Sequence, residues 1–198
     1  MTARWTLIAY RTPTEPSTAR VSAWRALHRL GGLYLGPTVC LLPTAIADPT
    51  QLARIQTRVT AAGGTFDILE IESFTPVAEA RLRSRCNEAR ADEYAEIVEQ
   101  SEAIVAELER EGARDKFTFA EVEENDAAHT KLRHWLRRVT VRDVFGCPER
   151  AAAGAAVQRV EERLAAFVEQ AIAREAGTNV TEPLTSHERR LRVVRGKE

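Results

Sequence analysis

The chain has 198 residues, of which 44% are apolar and 29% are charged, and its formal net charge at pH 7 is −1. This composition is ordinary for a soluble globular protein, and it excludes a protein drawn to nucleic acid by its overall charge. The charge is uneven along the chain, because residues 92–126 carry 13 acids against three basic residues, whereas residues 131–142 are rich in arginine. Any anion-binding surface must therefore be local.

The cysteine pattern and the absence of long apolar runs bear on the compartment. Cys40, Cys86 and Cys147 lie far apart and include no C-x-x-C pair, which is typical of reduced thiols. No apolar run reaches the roughly 18 residues of a membrane span, and the first residues do not resemble a signal peptide. We therefore expect a cytoplasmic protein without a membrane partner.

The first predicted elements are a buried strand at residues 7–10 and a helix that begins at Ser17, a favourable N-cap residue. We expect Trp5 and Trp24 to lie in the core. Apolar residues at three-residue steps predict the buried stripe of this helix: Val21, Trp24, Leu27 and Leu30.

A short strand at residues 33–35 and a continuously apolar strand at 39–42 follow. Continuous apolar runs favour central rather than edge strands. Asp48 with Pro49 marks a second helix start, and residues 65–74 form the next predicted strand. The order β-α-β-β-α-β predicts a ferredoxin-like domain over residues 1–74.

The rest of the chain is predicted to be helical. Apolar residues at the helical period indicate an antiparallel bundle of three helices over residues 75–176, and residues 177–198 are predicted to be a flexible basic tail. Thr118 and Glu121 form a capping box. Trp135 is expected at the centre of the bundle. The fold class is therefore predicted to be α+β, a ferredoxin-like domain followed by an antiparallel helical bundle.

Four arginines of the first domain are the main candidates for a binding site: Arg11, Arg20, Arg25 and Arg29. A guanidinium group presents a rigid fork of donors that suits oxyanions and phosphates. Arg11 ends the first strand and Arg20 lies near the start of the next helix, so the two side chains are expected to converge. The alternative to a binding site is that these arginines form a solvated surface and make salt bridges to Glu15 and Asp67.

Other chemistry is poorly supported by the sequence. His129 and His134 are five residues apart and point to different faces of a helix, and Cys40 lies in an apolar strand where we expect it to be buried and inert. The basic block at residues 131–142 is expected to pair with the acidic stretch before it. We predict no metal, no cofactor and no catalytic residue.

Several motifs resemble the N-terminal region of ChrB-type chromate-resistance regulators. They are Tyr10-Arg11-x-Pro13, Arg20-Val21-x-x-Trp24-Arg25, Arg29-Leu30-Gly31, Phe117-x-Phe119-Ala120-Glu121, Leu132-Arg133-x-Trp135-Leu136 and Arg142-Asp143-x-Phe145-Gly146. The resemblance implies a chromate-responsive regulator whose first domain is similar to the ferredoxin-like domain of PaaX-type repressors and CRISPR adaptation endonucleases. The endonucleases end this strand with an aspartate, whereas here the place holds Tyr10-Arg11.

The combined interpretation is a non-enzymatic cytosolic regulator that is linked to chromate or oxyanion resistance. It is expected to bind DNA, chromate or sulfate through the four arginines. The resemblance implies that full-length members continue into a second domain, a chromate-resistance domain, for which we expect no room after Ala176. A separate protein that carries such a domain is therefore an expected partner. A second copy of the chain is another expected partner. Two alternatives remain open: a small chromate-handling enzyme with an arginine-lined pocket between the two domains, and a module that only binds a protein partner.

Overall fold

The computed structural model describes residues 4–14 and 18–181. These residues form a four-stranded antiparallel sheet and five α-helices, and most of them are helical. The predicted mixture of strand and helix is therefore confirmed. None of the helices within the described residues combines the length and apolar character that a membrane crossing requires.

The sheet consists of strands β1 (Trp5–Arg11), β2 (Leu33–Gly36), β3 (Val39–Pro43) and β4 (Thr65–Ile71). Their order is β2-β3-β1-β4, and every neighbouring pair is antiparallel. Ile8 lies at the middle of the sheet, opposite Cys40 on one side and Ile68 on the other. The two continuously apolar runs form the central strands β1 and β3, as predicted from their sequence.

The helices are α1 (Thr18–Arg29), α2 (Pro49–Ala61), α3 (Pro76–Ala113), α4 (Phe119–Arg142) and α5 (Arg150–Thr181). A short 3₁₀ turn at Thr44–Ile46 precedes α2. The predicted start of α1 at Ser17 lies outside the described residues. The predicted basic tail likewise lies largely outside them, since α5 continues to Thr181.

Local side-chain chemistry explains two helix starts. The carboxylate of Asp48 accepts hydrogen bonds from the backbone N–H groups of Thr50 at 2.8 Å and Gln51 at 3.1 Å, and Pro49 occupies the first helical position of α2. Both bonds satisfy donors that have no partner within the helix. At α4, the hydroxyl of Thr118 accepts from the backbone N–H of Glu121 at 3.3 Å. The predicted cap at Asp48 is therefore confirmed, and so is the Thr118 half of the predicted capping box.

The chain forms two compact units. The first comprises Met1–Ile97 and His134–Gly154, and the second comprises Val98–Arg133 and Ala155–Glu198. This grouping differs from the predicted division into residues 1–74, 75–176 and 177–198, which stays a prediction.

One face of the sheet in the first unit packs against α1 and α2. Side chains alternate along a strand, so Ile8 and Tyr10 of β1 share this face with Cys40 and Leu42 of β3. The helices contribute Ala23, Leu27, Leu30, Leu52, Ile55 and Val59. This is the largest cluster of buried apolar side chains described in the first unit, and it fixes both helices on the sheet.

The opposite face of the sheet is covered by residues from later in the chain. Trp5 is fully buried beside Leu41 and Leu82, and its ring centroid lies 6.1 Å from that of Phe74 and 5.5 Å from that of Phe145. The prediction that Trp5 belongs to the core is confirmed. In the second unit, Leu108, Leu164 and Phe167 form a separate apolar core.

The prediction for Trp24 is wrong, since 47% of this residue is exposed, as is 38% of Val21. A three-residue step advances a helix by less than one turn, so the stripe drifts around α1 from one member to the next. The residues that face the sheet are Ala23, Leu27 and Leu30, at spacings of four and three.

The prediction that Trp135 is the centre of a bundle core is also wrong. Leu132 and Val139, seven residues apart, are buried, whereas Trp135 is only half-buried. Trp135 belongs to the first unit, where it lines a cleft. Its helical position alone could not distinguish a core residue from one at the rim of a cavity.

Candidate functional site: an arginine-lined cleft

A cleft of about 1480 Å³ opens in the first unit. Its walls come from the end of α1, the 3₁₀ turn, the start of α2, the strands β1 and β4, and parts of α3 and α4. The charged residues on these walls are Arg29, Asp48, Glu70, Glu93, Glu96, Arg137, Arg138 and Arg142. Cations and carboxylates therefore share the cleft.

The end of α1 shapes one side of this cleft. Gly31 has a φ of +89°, a conformation that favours glycine, and the N–H of Gly32 returns to the carbonyl of Leu27 at 3.0 Å. A Cβ atom at Gly31 would lie 3.1 Å from Nη1 of Arg90 and 3.3 Å from Cδ of Arg142. Glycine at this position thus lets two arginine side chains approach the helix end closely.

The carboxylate of Glu93 joins these two arginines. Nη2 of Arg90 lies 2.7 Å from Oε1 of Glu93, and Arg142 donates from Nη1 to Oε1 at 3.3 Å and from Nη2 to Oε2. The exposed fractions of the side chains are 8% for Arg90, 13% for Arg142 and 19% for Glu93. We call these three residues the Glu93 cluster, in which two cations share one anion.

The surroundings of Arg142 disfavour its positive charge. Burial is the main cause that lowers the pKa of Arg142, and the positive charges of Arg90 and Arg138 add to it. The negative charge of Glu93 opposes this shift. The pKa of Arg142 is lowered on balance, because burial together with the two neighbouring cations outweighs the effect of Glu93.

The predicted site residues occupy different places. Arg29 lines the cleft. Arg11 ends β1, and Arg20 and Arg25 lie on α1, and all three are exposed. The structure therefore brings one predicted arginine to the cleft and leaves the others on the surface, and their role in binding an anion stays a prediction.

Helix α1 carries a second candidate surface on its solvent-exposed side. We call it the basic face of α1 and define it as the exposed residues Arg20, Trp24, Arg25 and Arg29, which extend about half-way around the helix. Trp24 stacks on His28, with ring centroids 5.5 Å apart. The helix contains no aspartate or glutamate. Within residues 4–14 and 18–181, none of the three arginines forms a salt bridge. This face therefore presents uncompensated positive charge beside an exposed aromatic ring.

Comparison with known proteins places the chain in a family. The family model described as "Protein ChrB, N-terminal" matches residues 20–178. The chain belongs to this family. The resemblance predicted from the sequence motifs is confirmed, and the match includes both the basic face of α1 and the Glu93 cluster.

One curated relative is Protein ChrB of Cupriavidus metallidurans. It is 28% identical to this chain over 155 residues, a stretch that covers 78% of the chain and 44% of the relative. The chain thus matches less than half the length of this relative.

Sequence reasoning missed Arg90 and Glu93 as members of a site. Arg142 belongs to the basic block at residues 131–142, for which pairing with the preceding acidic stretch was predicted, and its bonds to Glu93 confirm that pairing for this one residue. Glu93 and Arg142 are 49 positions apart. The only available signal was the opposite charge of the two stretches, which does not single out a pair.

The cysteines are free thiols. Cys40 is fully buried, as predicted, and burial raises its pKa to about 12. Cys147 is buried as well, and its Sγ donates to Oε2 of Glu149 at 2.8 Å. Burial and this hydrogen bond raise the pKa of Cys147 to about 11. Such thiols are poor nucleophiles at neutral pH.

His129 is buried and His134 is exposed. Among the described residues there is no group of three or more histidine, cysteine, aspartate or glutamate side chains that could hold a metal ion.

Proposed function

We propose that this chain is a non-enzymatic regulator linked to chromate or oxyanion resistance, and that it contacts DNA through Arg11, Arg20, Arg25 and Arg29. Membership of the ChrB N-terminal family supports the link to chromate resistance. The observation that carries DNA contact is the basic face of α1, because arginines on an acid-free exposed helix face can neutralise phosphates.

We further propose that the first part of the chain is a ferredoxin-like domain. The strand order β2-β3-β1-β4 and the two helices that cover one face of the sheet support this assignment. An antiparallel bundle of α3, α4 and α5 remains part of the proposal, as do a cytoplasmic location, a homodimer and a separate partner that carries a chromate-resistance domain.

DNA binding is tested with the duplex that lies upstream of the protein's own gene, by fluorescence anisotropy at two salt concentrations. The double variant Arg25→Ala/Arg29→Ala should bind more weakly, and its dependence on salt should fall by about one unit of slope for each phosphate that the protein no longer neutralises. Its melting temperature should stay close to that of the wild type, because both side chains are exposed.

A matched control is available on α2. Arg54 and Arg58 are also exposed, one helical turn apart and in the same unit, so Arg54→Ala/Arg58→Ala removes the same charge from another place. Equal reductions in affinity in the two double variants would contradict a specific role for α1. The absence of any preference for the upstream duplex over a scrambled one would contradict the regulator.

The cleft favours a second candidate function, the handling of a small oxyanion, because Arg29, Arg137 and Arg142 all line it. In that case sulfate or chromate should raise the melting temperature through ligand linkage, and the DNA duplex should have no effect. No response to either ligand would leave a module that binds a protein partner.

A further inference from the structure

The Glu93 cluster has an excess of positive charge. Two guanidinium groups, Arg90 and Arg142, share the single carboxylate of Glu93, and all three side chains are more than four-fifths buried. Buried charges are stable when they are fully paired, and an uncompensated one is costly. Among these three side chains, two positive charges therefore face one negative charge.

Among the described residues, the two arginines of the cluster also have N–H donors without a hydrogen-bond acceptor. The Nε atom of Arg90 is buried and has no hydrogen-bond partner within the described part of the chain. Arg142 donates to Glu93 and from Nε to the carbonyl of Arg138 at 3.1 Å, which uses only part of the donors of its guanidinium group. Both arginines therefore have N–H donors that the carboxylate of Glu93 does not use.

The cluster reaches the cleft through Arg142 and Glu93, which line it, whereas Arg90 is not among the lining residues. Arg137 and Arg138 add two further cations on the same helix, and Asp48, Glu70 and Glu96 add three carboxylates. Trp135 and Val141 form apolar parts of the same wall. A small anion could reach Arg142 without any opening of the sheet or its apolar core.

We propose that Arg142, supported by Arg90, binds a small dianionic oxyanion of the sulfate type, and that Glu93 occupies this position when the ligand is absent. A dianion balances the two guanidinium charges, whereas the monoanionic carboxylate does not. Its oxygens can also accept the parallel N–H bonds that Arg142 now makes to Glu93. The inference rests on the proposed function only for its biological meaning, since binding here needs neither DNA nor the basic face of α1.

Competition with Glu93 sets the expected affinity. A ligand that must first displace an internal carboxylate binds more weakly. Its apparent dissociation constant rises as the fraction of molecules in which the carboxylate leaves Arg142 free becomes smaller. Removal of the negative charge of Glu93 should therefore tighten binding. The neighbouring Glu96, which lines the same cleft, forms no salt bridge with Arg142 among the described residues, so it provides a matched control.

The experiment uses the full chain and sodium sulfate, with sodium chloride added to keep the ionic strength constant. Sulfate should raise the melting temperature of the wild type. Glu93→Gln should lower the dissociation constant for sulfate by about tenfold, whereas Glu96→Gln should change it much less. Equal effects of the two substitutions would overturn a specific role for Glu93.

A second pair of variants protects the test against a folding defect in Glu93→Gln. Arg142→Lys keeps the charge and removes the forked donor, so the response to sulfate should largely disappear, whereas Arg58→Lys, at an exposed arginine that does not line the cleft, should keep it. Equally weakened responses in both variants, or a wild-type response that sodium chloride alone reproduces, would overturn the site. DNA affinity is measured on the same proteins. Loss of the sulfate site with DNA binding intact would overturn this inference alone, whereas absence of DNA binding would contradict the proposed regulator.

Discussion

The basic face of α1 and the Glu93 cluster use the same side chain in opposite ways. The arginines of α1 are exposed and carry no salt bridge among the described residues, whereas Arg90 and Arg142 are buried and share Glu93. Exposed charges act over a distance and are screened by salt. Buried and hydrogen-bonded charges are held in one geometry and interact strongly. A count of arginines therefore says little about function until their burial is known.

Among the charged residues, the largest expected effect on protein stability is at Glu93. Glu93→Ala leaves two buried guanidinium groups without their carboxylate, so the free energy of unfolding should fall by about 3 kcal/mol. Glu96→Ala, one turn further along α3, should change it by less than about 0.5 kcal/mol. Urea unfolding of both variants measures the difference. Equal values would show that the buried pairing contributes nothing to folding.

A smaller effect is expected when the shape of a cation changes while its charge is kept. Arg142→Lys removes the forked hydrogen bonds to Glu93 and the bond to the carbonyl of Arg138, which should cost about 1–2 kcal/mol. Arg25→Lys on α1 breaks no salt bridge and should stay within about 0.5 kcal/mol of the wild type. Thermal unfolding of the two variants checks this, and a destabilised Arg25→Lys would mean that the face of α1 is packed rather than free.

The smallest effect is expected at Trp24. Since about half of this residue is exposed, Trp24→Ala should lower the stability by less than about 1 kcal/mol. Trp5→Ala, which empties a fully buried position between Phe74 and Phe145, should cost about 3–5 kcal/mol. Urea unfolding of the pair compares an exposed with a buried indole. A destabilisation of several kcal/mol at Trp24 would place it in the core and remove the aromatic part of the basic face.

The sequence by itself determined the features that depend on neighbouring residues. The caps at Asp48 and Thr118 follow from local hydrogen bonding, and the central position of β1 and β3 follows from their continuously apolar sequence. Both signals act within a few residues. The motifs around Arg20 and Arg142 also sufficed to indicate the family.

Only the tertiary structure decided which charged and aromatic residues meet. Arg142 reaches Glu93 across 49 positions of sequence, and many arginines and carboxylates of similar spacing were equally plausible partners. Trp24 and Trp135 occupy apolar stripes that predict burial, yet one is exposed and the other lines a cleft. A helical period fixes which residues share a face, but what covers that face depends on how distant elements pack.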